Sequence, residues 1–243
     1  MHPIHPWSLF FHYRSIFASK KNQYIMESLF GIFLVVHILS GSVGLLMGSL
    51  AMMLKKGSDL HKLMGRIFLM AMTGIFISSL YMSIAIQNWF LLCIGFFSFF
   101  LAASGYRILS LKPVKAFEHP ASLTDHIIAW FGMAAGVGMM GLAVLLFSRS
   151  NSFGIVPSVF GVISFLLAYR GYRSFGKSPS SKDHWVRSHG LRMGGAFTAM
   201  VTAFVVVNIQ IGMQWILWLL PTTIIIPLTM RQVRSFLRPV AKG

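Results

Sequence analysis

Acidic residues are almost missing from this chain. Glu27, Asp59, Glu118, Asp125 and Asp183 are the only carboxylate side chains in 243 residues, against 21 lysines and arginines. That scarcity excludes the paired carboxylates of a glycosidase and the oxygen cage of an EF-hand-like calcium protein. Cysteine is scarcer still: Cys93 stands alone inside an apolar run, which excludes an internal disulfide framework and a multi-cysteine zinc or iron–sulfur site. Charged residues make up 11% of the chain and apolar ones 56%, where soluble domains sit near ~25% and ~45–50%. An ordinary soluble domain is therefore excluded. No phosphate loop, nucleophile elbow, HExxH pair or dinucleotide fingerprint is present. The net charge of +16 would suggest nucleic acid in a soluble protein. Here the positive residues fall between apolar runs and not along one polar face, so no nucleic-acid partner is expected.

What the chain does have is long charge-free stretches. A helix crosses the hydrocarbon core in about 20 residues, and seven stretches meet that length approximately: 28–54, 67–86, 88–106, 127–147, 153–169, 190–210 and 213–230. Continuous apolar runs of this length suit helices better than the alternating strands of a barrel. The expected fold is all-α, a polytopic transmembrane bundle of about seven spans with the lipid bilayer as its partner. The fifth stretch is short and contains Pro157, and the seventh contains Pro221 and Pro227, read as kinks tolerated inside a bundle. The 16 methionines and 22 phenylalanines read as core and lipid-facing filler.

Basic residues set the expected orientation. Lys55, Lys56, Lys62 and Arg66, then Arg107, Lys112 and Lys115, then Arg170, Arg173, Lys177, Lys182, Arg187 and Arg192, and finally Arg231, Arg234, Arg238 and Lys242 all fall at one set of alternate connections. The other set contains only Arg149. The positive-inside rule then puts the N-terminus outside and the C-terminus in the cytoplasm, in the cell inner (plasma) membrane. Arg14, Lys20 and Lys21 lie on the wrong side of this scheme. Residues 1–26 accordingly read as an extension, either an over-called start before Met26 or an interfacial segment. Residues 27–235 form the transmembrane domain, and 236–243 a basic cytoplasmic tail.

Three spans that rise from the cytoplasmic face begin with an acid and a histidine: Asp59 with His61, Asp125 with His126, and Asp183 with His184 and then His189. The aspartates have an ordinary explanation as helix caps at Ser58-Asp59, Thr124-Asp125 and Lys182-Asp183. The histidines gather four imidazoles at one face, where the positive helix end favours the neutral, metal-binding form. His184 and His189 stand about 140° apart around a helix, so only one can point inward, and His189, beside Gly190 and Gly194, is the better candidate. His37 lies about 14 Å inside the first span, where an ionisable residue is a functional candidate by default. It shares a stripe with Gly41, Gly44 and Gly48, and span four carries a similar seam at Gly132, Gly136, Gly138 and Gly141, both read as helix-packing surfaces.

The segments HILSGSVGLLMGSLAMMLKKGSDLHKLMGR (37–66), HWVRSHGLRMGGAFTAMVTAFVVVN (184–208) and LPTTIIIPL (220–228) resemble a bacterial family of predicted membrane proteins catalogued as domain of unknown function 2306. The likeness covers roughly residues 28–235. On matching positions it singles out His37, His61, Gly65, Arg66, His184, His189, Arg192 and Met193. It implies a membrane bundle and supplies no activity.

Three functions compete. One is a b-type haem protein, with inward histidines (His189 with His61 or His126, and His37 as a further candidate) ligating a single haem near the cytoplasmic face for redox or sensing. The second is a proton-coupled carrier without a cofactor, using His37 as a midplane relay and the Asp/His cluster as a gate. The third is a zinc-dependent membrane hydrolase, its metal held among His61, His126, His184 and His189, with Asp125 or Asp183 positioning water.

Overall fold

The computed structural model describes residues 20–111, 121–175, 183–209 and 213–237. These contain seven long helices and, among the described residues, no strand. The helices are α1 (Lys20–Met53), α2 (Asp59–Ala85), α3 (Trp89–Arg107), α4 (Leu123–Ser148), α5 (Ile155–Arg173), α6 (His184–Asn208) and α7 (Gln214–Leu237). All seven are long and apolar enough to cross a membrane. The protein is an all-α bundle of seven candidate spans. Residues 1–19 of the expected extension and 238–243 of the tail lie outside the described residues, as do Lys112, Lys115, Lys177 and Lys182.

Helix ends differ from the charge-free windows in a consistent way. α2 starts at Asp59 and α6 at His184, six to eight residues before the stretches expected at 67 and 190. The helices continue beyond the hydrocarbon into polar turns, which a charge-free window omits. At the other end α1 already begins at Lys20, so the boundary expected after residue 26 falls inside a continuous helix. The fifth span runs Ser152–Arg173, and Pro157 lies in the first turn of α5. A missing N–H costs nothing there, so no kink is needed. Pro221 and Pro227 do lie inside α7.

The consecutive pairs α1–α2, α2–α3, α3–α4, α4–α5 and α6–α7 pack antiparallel, while α6 docks on α3 and not on α5. Along α1 and α2 the facing residues run Gly48 with Phe68, Gly44 with Ala71, Gly74 with Ser40, and His37 with Ser78. Gly132 meets Ala168 and Gly136 meets Phe165 between α4 and α5, while Gly190 meets Val233 and Gly194 meets Thr229 between α6 and α7. Helix α3 is the hub, touching α2, α4 and α6, and its Phe97, Phe100, Leu101 and Ala102 are buried. This alternation brings the C-terminal ends of α1, α3, α5 and α7 and the N-terminal ends of α2, α4 and α6 to one end of the bundle. That end carries Lys55, Lys56, Lys62, Arg66, Arg107, Arg170, Arg173, Arg187, Arg192, Arg231 and Arg234; Lys20, Lys21 and Arg149 belong to the opposite end. Large apolar side chains such as Leu39, Val144 and Val207 face outward, as a lipid-solvated surface requires.

The tight connections have local causes. Gly57 adopts φ +81 in the α1–α2 corner, a conformation glycine enters without the Cβ penalty. Ser58 accepts a hydrogen bond from the His61 backbone N–H to cap α2, and Asn88 accepts from Leu91 to cap α3.

Candidate functional site

The basic end is held together by polar contacts that cross between helices. The Arg107 guanidinium at the end of α3 meets Asp125 in the first turn of α4, Nε to Oδ1 at 2.7 Å and Nη2 to Oδ2 at 3.0 Å. Ser122 caps α4 in a reciprocal capping box: its Oγ accepts from the Asp125 N–H, and its own N–H donates to Asp125 Oδ2 at 2.9 Å. Arg107 also donates to Ser122 Oγ. The cap expected at Thr124-Asp125 thus belongs to Ser122, with Asp125 as its partner three residues on. Asp183, also expected as a side-chain cap, makes no cap hydrogen bond.

The four candidate histidines at this end occupy separate places. His189 reaches inward, its Nδ1 donating to the Gly105 carbonyl of α3 at 2.8 Å, while His184 is exposed beside Ser188. The acceptor is a carbonyl, so Nδ1 must carry the proton. His61 Nδ1 donates to the Ala51 carbonyl at 3.0 Å. Lys56 Nζ donates to the Ala51 and Met52 carbonyls, and together these side chains satisfy the open C-terminus of α1. Burial at this corner holds the Lys56 ammonium below the ordinary lysine range. His126 packs edge-on against Tyr172 and Phe175. Among the described residues no three of the His, Cys, Asp and Glu side chains come together in a group able to hold a metal ion.

His37 has a different setting. Its Nδ1 lies 3.0 Å from Ser78 Oγ, midway along the α1–α2 interface. With the Ser78 hydroxyl donating to the Gly74 or Ile75 carbonyl, its oxygen accepts from His37 Nδ1–H. Nε2 is then the nitrogen able to take up a further proton.

The glycine stripes divide by neighbour. A Cβ on Gly44 would press on Met200, and one on Gly48 on Phe197 and Phe68. At Gly132 and Gly136 it would strike Phe100 and Phe165. Gly41 departs from the expected packing stripe, since a Cβ there would meet nothing within 4 Å, and the same holds for Gly141 and Gly65. Gly138 faces Cys93 instead of α5.

Sequence reasoning counted Arg107 as a loop charge and passed over Ser122 and Ser78. The Ser-x-x-Asp spacing of Ser122 and Asp125 marks a capping box and was legible. Nothing in the sequence pairs Arg107 with Asp125 or Ser78 with His37. The fold and these contacts define a seven-helix membrane protein with a polar basic end and one histidine–serine pair at mid-span. No family model, curated protein or solved structure matches the chain.

Proposed function

We propose that the chain is a proton-coupled carrier of the inner membrane, with His37 as the proton-handling group and the basic end facing the cytoplasm. The observation that carries this reading is the His37–Ser78 pair. With the buried serine donating to a backbone carbonyl, the imidazole keeps Nδ1–H engaged, and Nε2 gains and loses a proton inside the bundle. Ionisable residues at that depth mark proton or substrate paths. The orientation rests on the basic residues, which resist translocation across the membrane. In proteoliposomes containing a pH-sensitive dye, an imposed potassium diffusion potential is expected to drive proton entry, and His37→Gln to abolish it. Equal flux in both proteins overturns the reading.

A second reading, a single b-type haem, is supported at His61. Its Nδ1–H is tied to a backbone carbonyl, the arrangement that orients metal-ligating imidazoles, and Gly65 one turn on has open space beside it. His61 would ligate the iron, and bound haem would supply one-electron chemistry. A Soret band in the purified protein, lost in His61→Ala, would support it, and colourless protein from haem-sufficient cells would exclude it. The zinc reading draws less support, because Asp125 is engaged by Arg107. The likeness to domain of unknown function 2306 is retained as a proposal on His37, His61, Gly65, Arg66, His184, His189, Arg192 and Met193.

A further inference from the structure

Arg192 lies two turns inside α6, on an apolar helix, with its charge enclosed by protein on most sides and part of its side chain still open to the surface. Its guanidinium sits over the Phe100 ring of α3, 5.8 Å from the centroid. Two glycines on two other helices make the room. A Cβ on Gly105 would lie 3.0 Å from the Arg192 Cβ, and a Cβ on Gly171 of α5 would lie 3.2 Å from Nη2. The space around this side chain is therefore built by the absence of side chains opposite it.

Among the described residues no carboxylate pairs with this charge, Asp183 at the start of α6 included. Asp125 is bonded to Arg107 and Asp59 to Lys62, Glu27 belongs to the far end of α1, and none of the ion pairs of the described residues includes Arg192. Arg170, Arg173 and Arg187 lie at the same end, so the local field is positive. An enclosed cation without an acid partner is costly inside a membrane bundle, and neighbouring like charges add to that cost. A phosphate oxyanion offsets it, because the planar guanidinium fork matches phosphate oxygens two at a time.

We propose that Arg192, framed by Phe100, Gly105 and Gly171, is the anchor of a phosphate-binding site between α3, α5 and α6 at the basic end. The site does not depend on the role of His37. Its ligand is a phosphate group, either free in solution or carried as a phospholipid headgroup.

The test uses the purified full-length chain in detergent. Thermal unfolding is followed while inorganic phosphate is titrated at constant ionic strength against chloride, and retained phosphatidylglycerol is measured by native mass spectrometry. For a free anion, phosphate raises the midpoint saturably in the parent protein and leaves Arg192→Gln unmoved, with Arg192→Lys about tenfold weaker for loss of the fork. For a headgroup, phosphate has no effect, but the parent retains phosphatidylglycerol and Arg192→Gln loses it. Gly171→Val fills the space while keeping the charge, and its loss of either response supports the site even where Arg192→Gln fails to fold. Equal responses in the parent, Arg192→Gln and Gly171→Val, or no response to either probe in the parent, overturn the proposal.

Discussion

The two ends of this bundle are assembled by different forces. At the basic end, helices are joined by directional contacts between groups that would be costly alone: Arg107 with Asp125, His189 with the Gly105 carbonyl, His61 and Lys56 with the end of α1. At the opposite end the joints are aromatic. Phe90 sets its ring edge-on to Trp218 at 4.9 Å and to Phe153 at 5.2 Å, closing α3 against α7 and the α4–α5 turn. In water the aromatic end would be the stronger. In lipid the surroundings are as apolar as the core, so aromatic packing contributes shape and dispersion with little transfer energy, whereas breaking the Arg107–Asp125 pair leaves a buried carboxylate without its counter-charge.

Breaking each joint in turn sharpens that contrast. Arg107→Met is expected to have the largest effect, about 3 kcal/mol by SDS-induced unfolding, the low end for a buried pair because Arg107 stays 34% exposed. The double variant Arg107→Met with Asp125→Leu should recover a large part of that loss, and a double variant no better than the single would show that packing, not charge, holds this junction. At the other end Trp218→Ala should cost about 2 kcal/mol, the cavity part of a core truncation without its transfer part. A larger loss than for Arg107→Met would reverse the comparison.

Smaller effects probe the interfaces between the two ends. Gly136→Ala brings a Cβ to 2.8 Å from the Phe165 backbone nitrogen and 2.9 Å from the Gly161 carbonyl oxygen, for an expected cost of about 1–2 kcal/mol. Gly41→Ala, facing open space, should leave the unfolding midpoint unchanged, and equal losses at both positions would erase the distinction drawn between the stripes. Ser78→Ala removes the acceptor of His37 and should cost about 1 kcal/mol. An effect of the opposite sign is expected at Thr202, whose buried Oγ1 has no hydrogen-bond partner among the described residues. Thr202→Val keeps the shape and should be neutral or stabilising by less than about 1 kcal/mol.

The number of helices, their alternation and the gathering of basic residues at one end were legible in the sequence. A bilayer demands charge-free stretches of near-fixed length and internal satisfaction of every backbone group, so composition along the chain dictates helices and their ends follow within a turn or two. The azimuth of each helix was not legible. These spans are apolar nearly all round and carry no polar face to declare which side is buried. His37 and Gly41 share a stripe in sequence, yet Ser78 meets one and open space the other. Asp125 read as a cap and Arg107 as a loop charge until two helix ends, joined through a loop, met at 2.7 Å. Arg192 likewise read as one more positive charge, and only the convergence of Phe100, Gly105 and Gly171 from two other helices enclosed it. Neighbours fix rotation about a helix axis, and they come from distant parts of the chain, so no local pattern encodes it.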